Sequence, residues 1–109
     1  MIDLKKIQEE VYQNKVNKGF NVKDVNLEFC YIHEELAEAF SAYRKNLPDV
    51  GEEIADVCIY LFGLAQILGV DLEGEIVRKI EINKNRQFKM IDGKMTRMDD
   101  GKVISVNKN

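Results

Sequence analysis

Histidine occurs once in this chain, proline once and cysteine twice. A single histidine, His33, and two cysteines without CxxC spacing give a zinc site poor support. Cys30 and Cys58 both fall inside helical patterns, which reads as two reduced core thiols and an expected cytoplasmic location. A long apolar run is also missing. The most apolar stretch, Val57 to Val70, is 14 residues long and carries Gln66, too short to span a bilayer. The opening Met-Ile-Asp-Leu-Lys-Lys lacks the apolar core that a signal peptide requires. Charge of one sign is scarce as well: the net charge is -3, with acids and bases interleaved through most of the chain. Non-specific nucleic-acid binding needs a basic surface that replaces counterions, so neither nucleic acid nor membrane is an expected partner. No internal repeat or low-complexity segment is present.

What remains is an ordinary globular composition, 45% hydrophobic and 32% charged over 109 residues, which predicts one domain. Such a short chain buries a modest fraction of its surface, and oligomerisation would help it. Periodicity predicts four helices. Asp3 is the N-cap of the first, whose Leu4, Ile7 and Val11 share a face; it fades near Asn14, with a break at Asn17-Lys18-Gly19. The second runs from about Asp24 to about Lys45 and is stopped by Asn46 and Pro48. Its Phe29, Ile32, Leu36, Ala39, Phe40 and Tyr43 form one broad stripe, the expected core face. Asp49 caps a third helix ending at Leu68, with Gly69 after it, and Asp71 caps a fourth that reaches about Arg86. Val57 through Ala65 holds no charge on any side, so that helix must be covered all round. A partner subunit would do this.

The expected architecture is therefore all-α, an antiparallel bundle of about four helices in an oligomer, over residues 1–88. Residues 89–109 form a tail. Asp92-Gly93 and Asp99-Asp100-Gly101 are turn signals there, between segments carrying Met90, Ile91, Met95, Val103 and Ile104. They fit a short hairpin or an irregular arm.

The chemistry lies in two short acidic motifs, Glu34-Glu35-Leu36-Ala37-Glu38 and Glu53-Ile54-Ala55-Asp56. Carboxylates three apart on a helix project about 60° from one another, so each pair can converge on one point. The short link at residues 46–48 makes the second and third helices antiparallel neighbours, which lets the two pairs face each other. Four carboxylates so close repel unless a cation is present, and oxygen-only ligation suits Mg2+ or Mn2+. Paired glutamates on a helix are most often solvated surface; two pairs on adjacent helices, flanked by apolar residues, are less easily read that way. On the fourth helix Lys79, Asn83 and Arg86 recur at i, i+4 and i+7. Such a stripe fits a chain of phosphates, and equally a basic helix end facing its own macrodipole.

Taken together, Glu34-Glu35-x-x-Glu38, 14 intervening residues, Glu53-x-x-Asp56 and Lys79-x-x-x-Asn83-x-x-Arg86 resemble the MazG-like branch of the all-alpha nucleotide pyrophosphohydrolases. The apolar run Val57-Cys58-Ile59-Tyr60-Leu61 is similar to that family's too, and the resemblance covers about residues 2 to 88. It implies metal ligation by Glu35, Glu38, Glu53 and Asp56, with Mg2+ as cofactor and Mn2+ as a substitute. It implies cleavage of a nucleoside triphosphate between the α and β phosphates, giving monophosphate and pyrophosphate, in a homodimer or homotetramer. Lys79 and Arg86 would hold the departing pyrophosphate, and Asn83 a phosphate or sugar oxygen. Phe20 or Tyr12 would stack on the base. Two other readings remain at this level: phosphoribosyl-ATP pyrophosphohydrolase, whose Lys-x-Gly before the paired acids is here Tyr31-Ile32-His33, and a non-catalytic nucleotide-binding helical dimer.

Overall fold

The computed structural model describes residues 2–99 and 102–106. They divide into two compact units, Met1–Glu73 and Gly74–Asn109. The first holds helices α1 (Leu4–Lys18), α2 (Val25–Arg44) and α3 (Val50–Leu68). The second holds most of α4 (Leu72–Asn85) and strands β1 (Gln87–Ile91), β2 (Lys94–Asp99) and β3 (Lys102–Val106).

Each helix boundary has a local cause. The Asp3 carboxylate accepts the Lys6 N–H at 3.2 Å, and the Asp24 carboxylate accepts the Leu27 N–H at 3.1 Å, so both are side-chain N-caps. α1 does not fade at Asn14 but continues to Lys18, because Lys15 is buried and Gly19, at φ 72°, supplies the left-handed stop. Gly69, at φ 69°, ends α3 in the same way. Asp49 occupies the N-cap position of α3, yet its side chain makes no capping hydrogen bond.

α2 and α3 run antiparallel. Tyr31 of α2 meets Tyr60 of α3 edge-on at 6.2 Å, while Glu38 lies beside Glu53, so residue numbers rise along one helix as they fall along the other. The buried apolar residues are Ala39 and Ala42 on α2, and Leu64 and Ala65 on α3. α1 crosses α3 at Gly63, where an added Cβ would stand 3.3 Å from both Lys15 Cδ and Val11 Cγ1. One turn away, the buried Gln8 amide donates to Gln66 Oε1 at 2.9 Å and to the Val70 carbonyl at 2.8 Å.

Two expectations about the core are overturned. Phe29, Leu36, Phe40 and Tyr43 of the predicted core stripe are exposed, and only Ala39 of that set is buried. The alanines of α2 are thus buried while its bulky stripe faces outward. Cys30 and Cys58, expected as core thiols, are exposed. On α3 the exposed Ile54, Leu61 and Leu68 recur every seven residues, as do Phe29, Leu36 and Tyr43 on α2. Among the described residues, no single helix is long and apolar enough to cross a membrane.

In the second unit β1, β2 and β3 form an antiparallel sheet in sequence order. The β1–β2 turn is Asp92-Gly93, with φ of 51° and 76°, the two positive values that a tight hairpin turn of the right twist requires. Asp100 and Gly101, the second turn signal, lie outside the described residues. The segment is thus a meander, with one register shift at Arg97/Met98 in the β2–β3 pairing, rather than an irregular arm. α4 buries none of its residues.

Candidate active site

Four residues of α2 and three of α3 turn toward one another because of their spacing. Glu28, Tyr31, Glu35 and Glu38 fall at i, i+3, i+7 and i+10 of α2, and Glu53, Asp56 and Tyr60 at i, i+3 and i+7 of α3. Both series follow one helix face. Two different environments result along this seam.

At one end, carboxylate oxygens of Glu35, Glu38 and Glu53 come within 4.8 Å of one another. Asp56 is not in that group of three, but its charge raises the carboxyl pKa of both Glu35 and Glu53. For Glu35 the larger cause of its raised pKa is burial, followed by the charge of Glu38 and a hydrogen bond with it. For Glu53 burial again comes first, then the charges of Glu38 and Asp49. Glu53 Oε2 and Asp49 Oδ1 are shut away from solvent with no hydrogen-bond partner among the described residues. Like charges that raise one another's pKa, with a shielded oxygen left unpartnered, form a donor set suited to a hard cation. The all-oxygen chemistry fits Mg2+ or Mn2+ and does not fit zinc.

At the other end, a buried ion pair balances itself. Lys15 Nζ lies 2.6 Å from Glu28 Oε1, with the Glu28 side chain fully buried. Asn21 Nδ2 donates to the other Glu28 oxygen at 3.0 Å. The Lys15 ammonium also sits 5.3 Å from the centre of the Tyr60 ring. Tyr60 joins the two ends: burial raises its hydroxyl pKa first, and the charges of Glu35 and Glu28 add to the shift.

Beside Tyr60 a cleft of about 330 Å³ opens between α1, the α1–α2 loop and α3, lined by Glu10, Val11, Asn14, Lys15, Phe20, Ile59 and Tyr60. An adjoining hollow of about 350 Å³ shares Lys15, Phe20 and Tyr60 and adds Asn21 and Tyr31. Of the two predicted stacking residues, Phe20 lines the cleft and Tyr12 does not.

Lys79 and Asn83 lie exposed on α4, and Arg86 follows one residue beyond its end. Arg86 Nη1 donates to Asn83 Oδ1 at 2.9 Å, so these two side chains act as a pair. Sequence reasoning passed over Lys15, Glu28, Tyr31 and Tyr60. The signal was present: Glu28 and Tyr31 continue the seven-residue spacing of Glu35 and Glu38 backward, and Tyr60 continues that of Glu53 forward. What the sequence hides is that Lys15, from a different helix, neutralises Glu28, while no cation among the described residues pairs with Glu35.

Similarity to known proteins agrees with this geometry. A solved structure of the cyanophage S-2L MazG-like pyrophosphohydrolase, bound to dGDP and three catalytic Mn2+ ions per active site, matches with a TM-score of 0.68 and 25% identity. The match covers 91% of this chain and 100% of that one. No curated protein matches at a significant level. The model of the MazG-like family matches residues 18–98, from the end of α1 through both acidic motifs and α4 into β2, and the chain belongs to that family.

Proposed function

We propose that this protein hydrolyses (deoxy)nucleoside triphosphates between the α and β phosphates, releasing nucleoside monophosphate and pyrophosphate, with Mg2+ as cofactor and Mn2+ as a substitute. The observation that carries the reading is the convergence of Glu35, Glu38 and Glu53 around a point with no ion-paired cationic side chain among the described residues. Asp56 completes the ligand set. When bound, the metal neutralises phosphate oxygens and lowers the pKa of the attacking water.

The chain's own residues have three tasks. One carboxylate of the cluster accepts the proton of the attacking water. Lys79 and Arg86 of the second unit are cations suited to pyrophosphate oxygens, with the Arg86 guanidinium oriented by Asn83. Tyr60 and Phe20 receive the base in the cleft beside the carboxylates. The dGDP held by the cyanophage relative supports a nucleotide in such a site.

The working unit is a homodimer or homotetramer. Phe29, Leu36 and Tyr43 of α2 and Ile54, Leu61 and Leu68 of α3 give a single copy more exposed bulky apolar surface than a stable monomer carries.

The deciding experiment is incubation of a nucleotide panel with Mg2+ and separation of the products. Monophosphate and pyrophosphate are expected; diphosphate with orthophosphate would place the cut at the wrong bond and refute the reading.

A further inference from the structure

Lys15 reaches all three helices of the first unit. It stands on α1, its ammonium donates to Glu28 of α2 at 2.6 Å, and that ammonium lies 5.3 Å from the centre of the Tyr60 ring of α3. Its stem passes Gly63 of α3, where an added Cβ would stand 3.3 Å from Cδ. Asn21 holds the other Glu28 oxygen at 3.0 Å, so the carboxylate cannot turn from the ammonium without losing a bond. A buried ion pair often adds no stability over an apolar pair of the same volume, because desolvating both charges offsets their attraction. What it adds is placement. Two charges held by bonds keep one position, whereas apolar side chains of the right volume can repack.

That placement matters further along the seam. Tyr60 meets Tyr31 edge-on at 6.2 Å. Tyr31 stands four residues before Glu35 on α2, and Tyr60 four residues after Asp56 on α3, each about 6 Å along its helix from that acid. The seam therefore runs in three layers: ion pair, tyrosine pair, carboxylates. The acids are divided between the helices, Glu35 and Glu38 on α2, Glu53 and Asp56 on α3. Their distances across the seam are thus set by the spacing of α2 and α3. Like charges facing each other there push the helices apart, and a metal centre tolerates misplacement of only about 0.5 Å. Something beside the carboxylates has to resist that push.

We propose that the Lys15–Glu28 pair, acting through the Tyr60 ring, is a brace that sets the α2–α3 spacing for metal binding. Lys15 and Glu28 are positioning residues, and neither is a ligand. The proposal rests on the metal-dependent reading above and adds to it the residues that hold the ligands in register.

The test is titration of the full-length protein with Mn2+ at constant neutral pH, read by the paramagnetic resonance signal of the free ion. No nucleotide is present, so contacts to a base do not enter. The double variant Lys15→Met with Glu28→Leu keeps the net charge and strands no ion. It is expected to bind Mn2+ about tenfold more weakly, the low end for residues that orient metal ligands. Removing the exposed Arg78–Glu75 pair in the same way, Arg78→Met with Glu75→Leu, should leave the affinity unchanged. Tyr60→Leu should weaken binding as the double variant does, and Tyr60→Phe, which keeps the ring, should not. These two variants decide the matter if the melting transition shows that the double variant does not fold. Wild-type affinity in the double variant or in Tyr60→Leu would overturn the proposal and leave the hydrolytic reading standing. So would equal losses in Tyr60→Leu and Tyr60→Phe, or in the Arg78–Glu75 control. A wild type that binds no Mn2+ would overturn both.

Discussion

Glu28 and Glu35 stand seven residues apart on one face of α2, and their fates differ. Glu28 is fully buried and tolerated because Lys15 and Asn21 meet both of its oxygens. Glu35 is only half-buried, yet its neighbours are Glu38, Asp56 and Glu53, all of its own sign. Burial of a charge is therefore not what distinguishes a structural acid from a functional one here. The distinction is whether the fold supplies the counter-charge. At Glu28 it does; at Glu35, Glu38 and Glu53 no cation among the described residues does.

The largest effect should come from Glu53→Gln, which removes one charge from the unbalanced end. Turnover should be lost, while the metal-free melting temperature stays the same or rises, because a repulsion has been relieved. The upward melting shift on adding Mg2+ should shrink as well. Glu52→Gln, on the neighbouring exposed position, should keep both turnover and the Mg2+ shift. Calorimetric melts with and without Mg2+ decide the matter. A Glu53→Gln protein that melts lower without metal would mean the carboxylate is held structurally, as Glu28 is, and the contrast would be broken.

At the balanced end the sign reverses. Glu28→Ala leaves the Lys15 ammonium buried without its partner, and urea unfolding should show a loss of about 3–5 kcal/mol. Replacing both members, Lys15→Met with Glu28→Leu, removes the pair without stranding a charge and should cost far less. If the double variant is as unstable as the single, packing around the pair matters more than its charge.

The comparison sharpens with pH. Glu35 and Glu53 have carboxyl pKa values raised in the folded protein above the ordinary value of 4.5, so the fold binds their protons more tightly than the unfolded chain does. A raised group stabilises the fold fully below its unfolded pKa, and that contribution disappears as pH rises through the folded pKa. The metal-free advantage of Glu53→Gln over the wild type should therefore be present at neutral pH and vanish as pH falls toward 4.5. Parallel melts of both proteins from pH 7 downward measure it. A constant difference across that range would mean the carboxylate is not strained.

The smallest effect is expected at the helix crossing. Gly63→Ala brings a methyl carbon to 3.3 Å from Lys15 Cδ and Val11 Cγ1, while gaining about 1 kcal/mol of helix propensity. The two nearly offset, and a change below about 1 kcal/mol in urea unfolding is expected. Gly63→Val should be clearly destabilised, because its branch has only the pinned Lys15 stem to displace.

How much of this was legible beforehand follows from the range of each interaction. Helix ends set by Asp3, Asp24, Gly69 and the Asp92-Gly93 turn depend on a few neighbouring residues and were readable. So were the acidic motifs, since i, i+3 spacing fixes a common face. Which apolar stripe of α2 is buried was not readable. Phe29, Leu36 and Tyr43 satisfy the periodicity of a core face, but Ala39 and Ala42 are the residues of α2 that the fold buries. Lys15 was likewise opaque, because a lysine on a charged helix gives no sign that an acid 13 residues away will bury it.

The clasp of Gln8 with Gln66 and Val70 sets a timetable for biosynthesis. The two glutamines are separated by 58 residues, so the Gln8 end of α1 cannot make this clasp until the end of α3 has been made. At about 5–20 residues per second, that is a wait of roughly 3 to 12 s. Throughout it the first helix emerges from the ribosome with its amphipathic face uncovered. Short isolated helices are marginal in water, so α1 forms in earnest only when its partner arrives. The meander at the other end pairs only strands adjacent in sequence, and each hairpin can close within microseconds of being made.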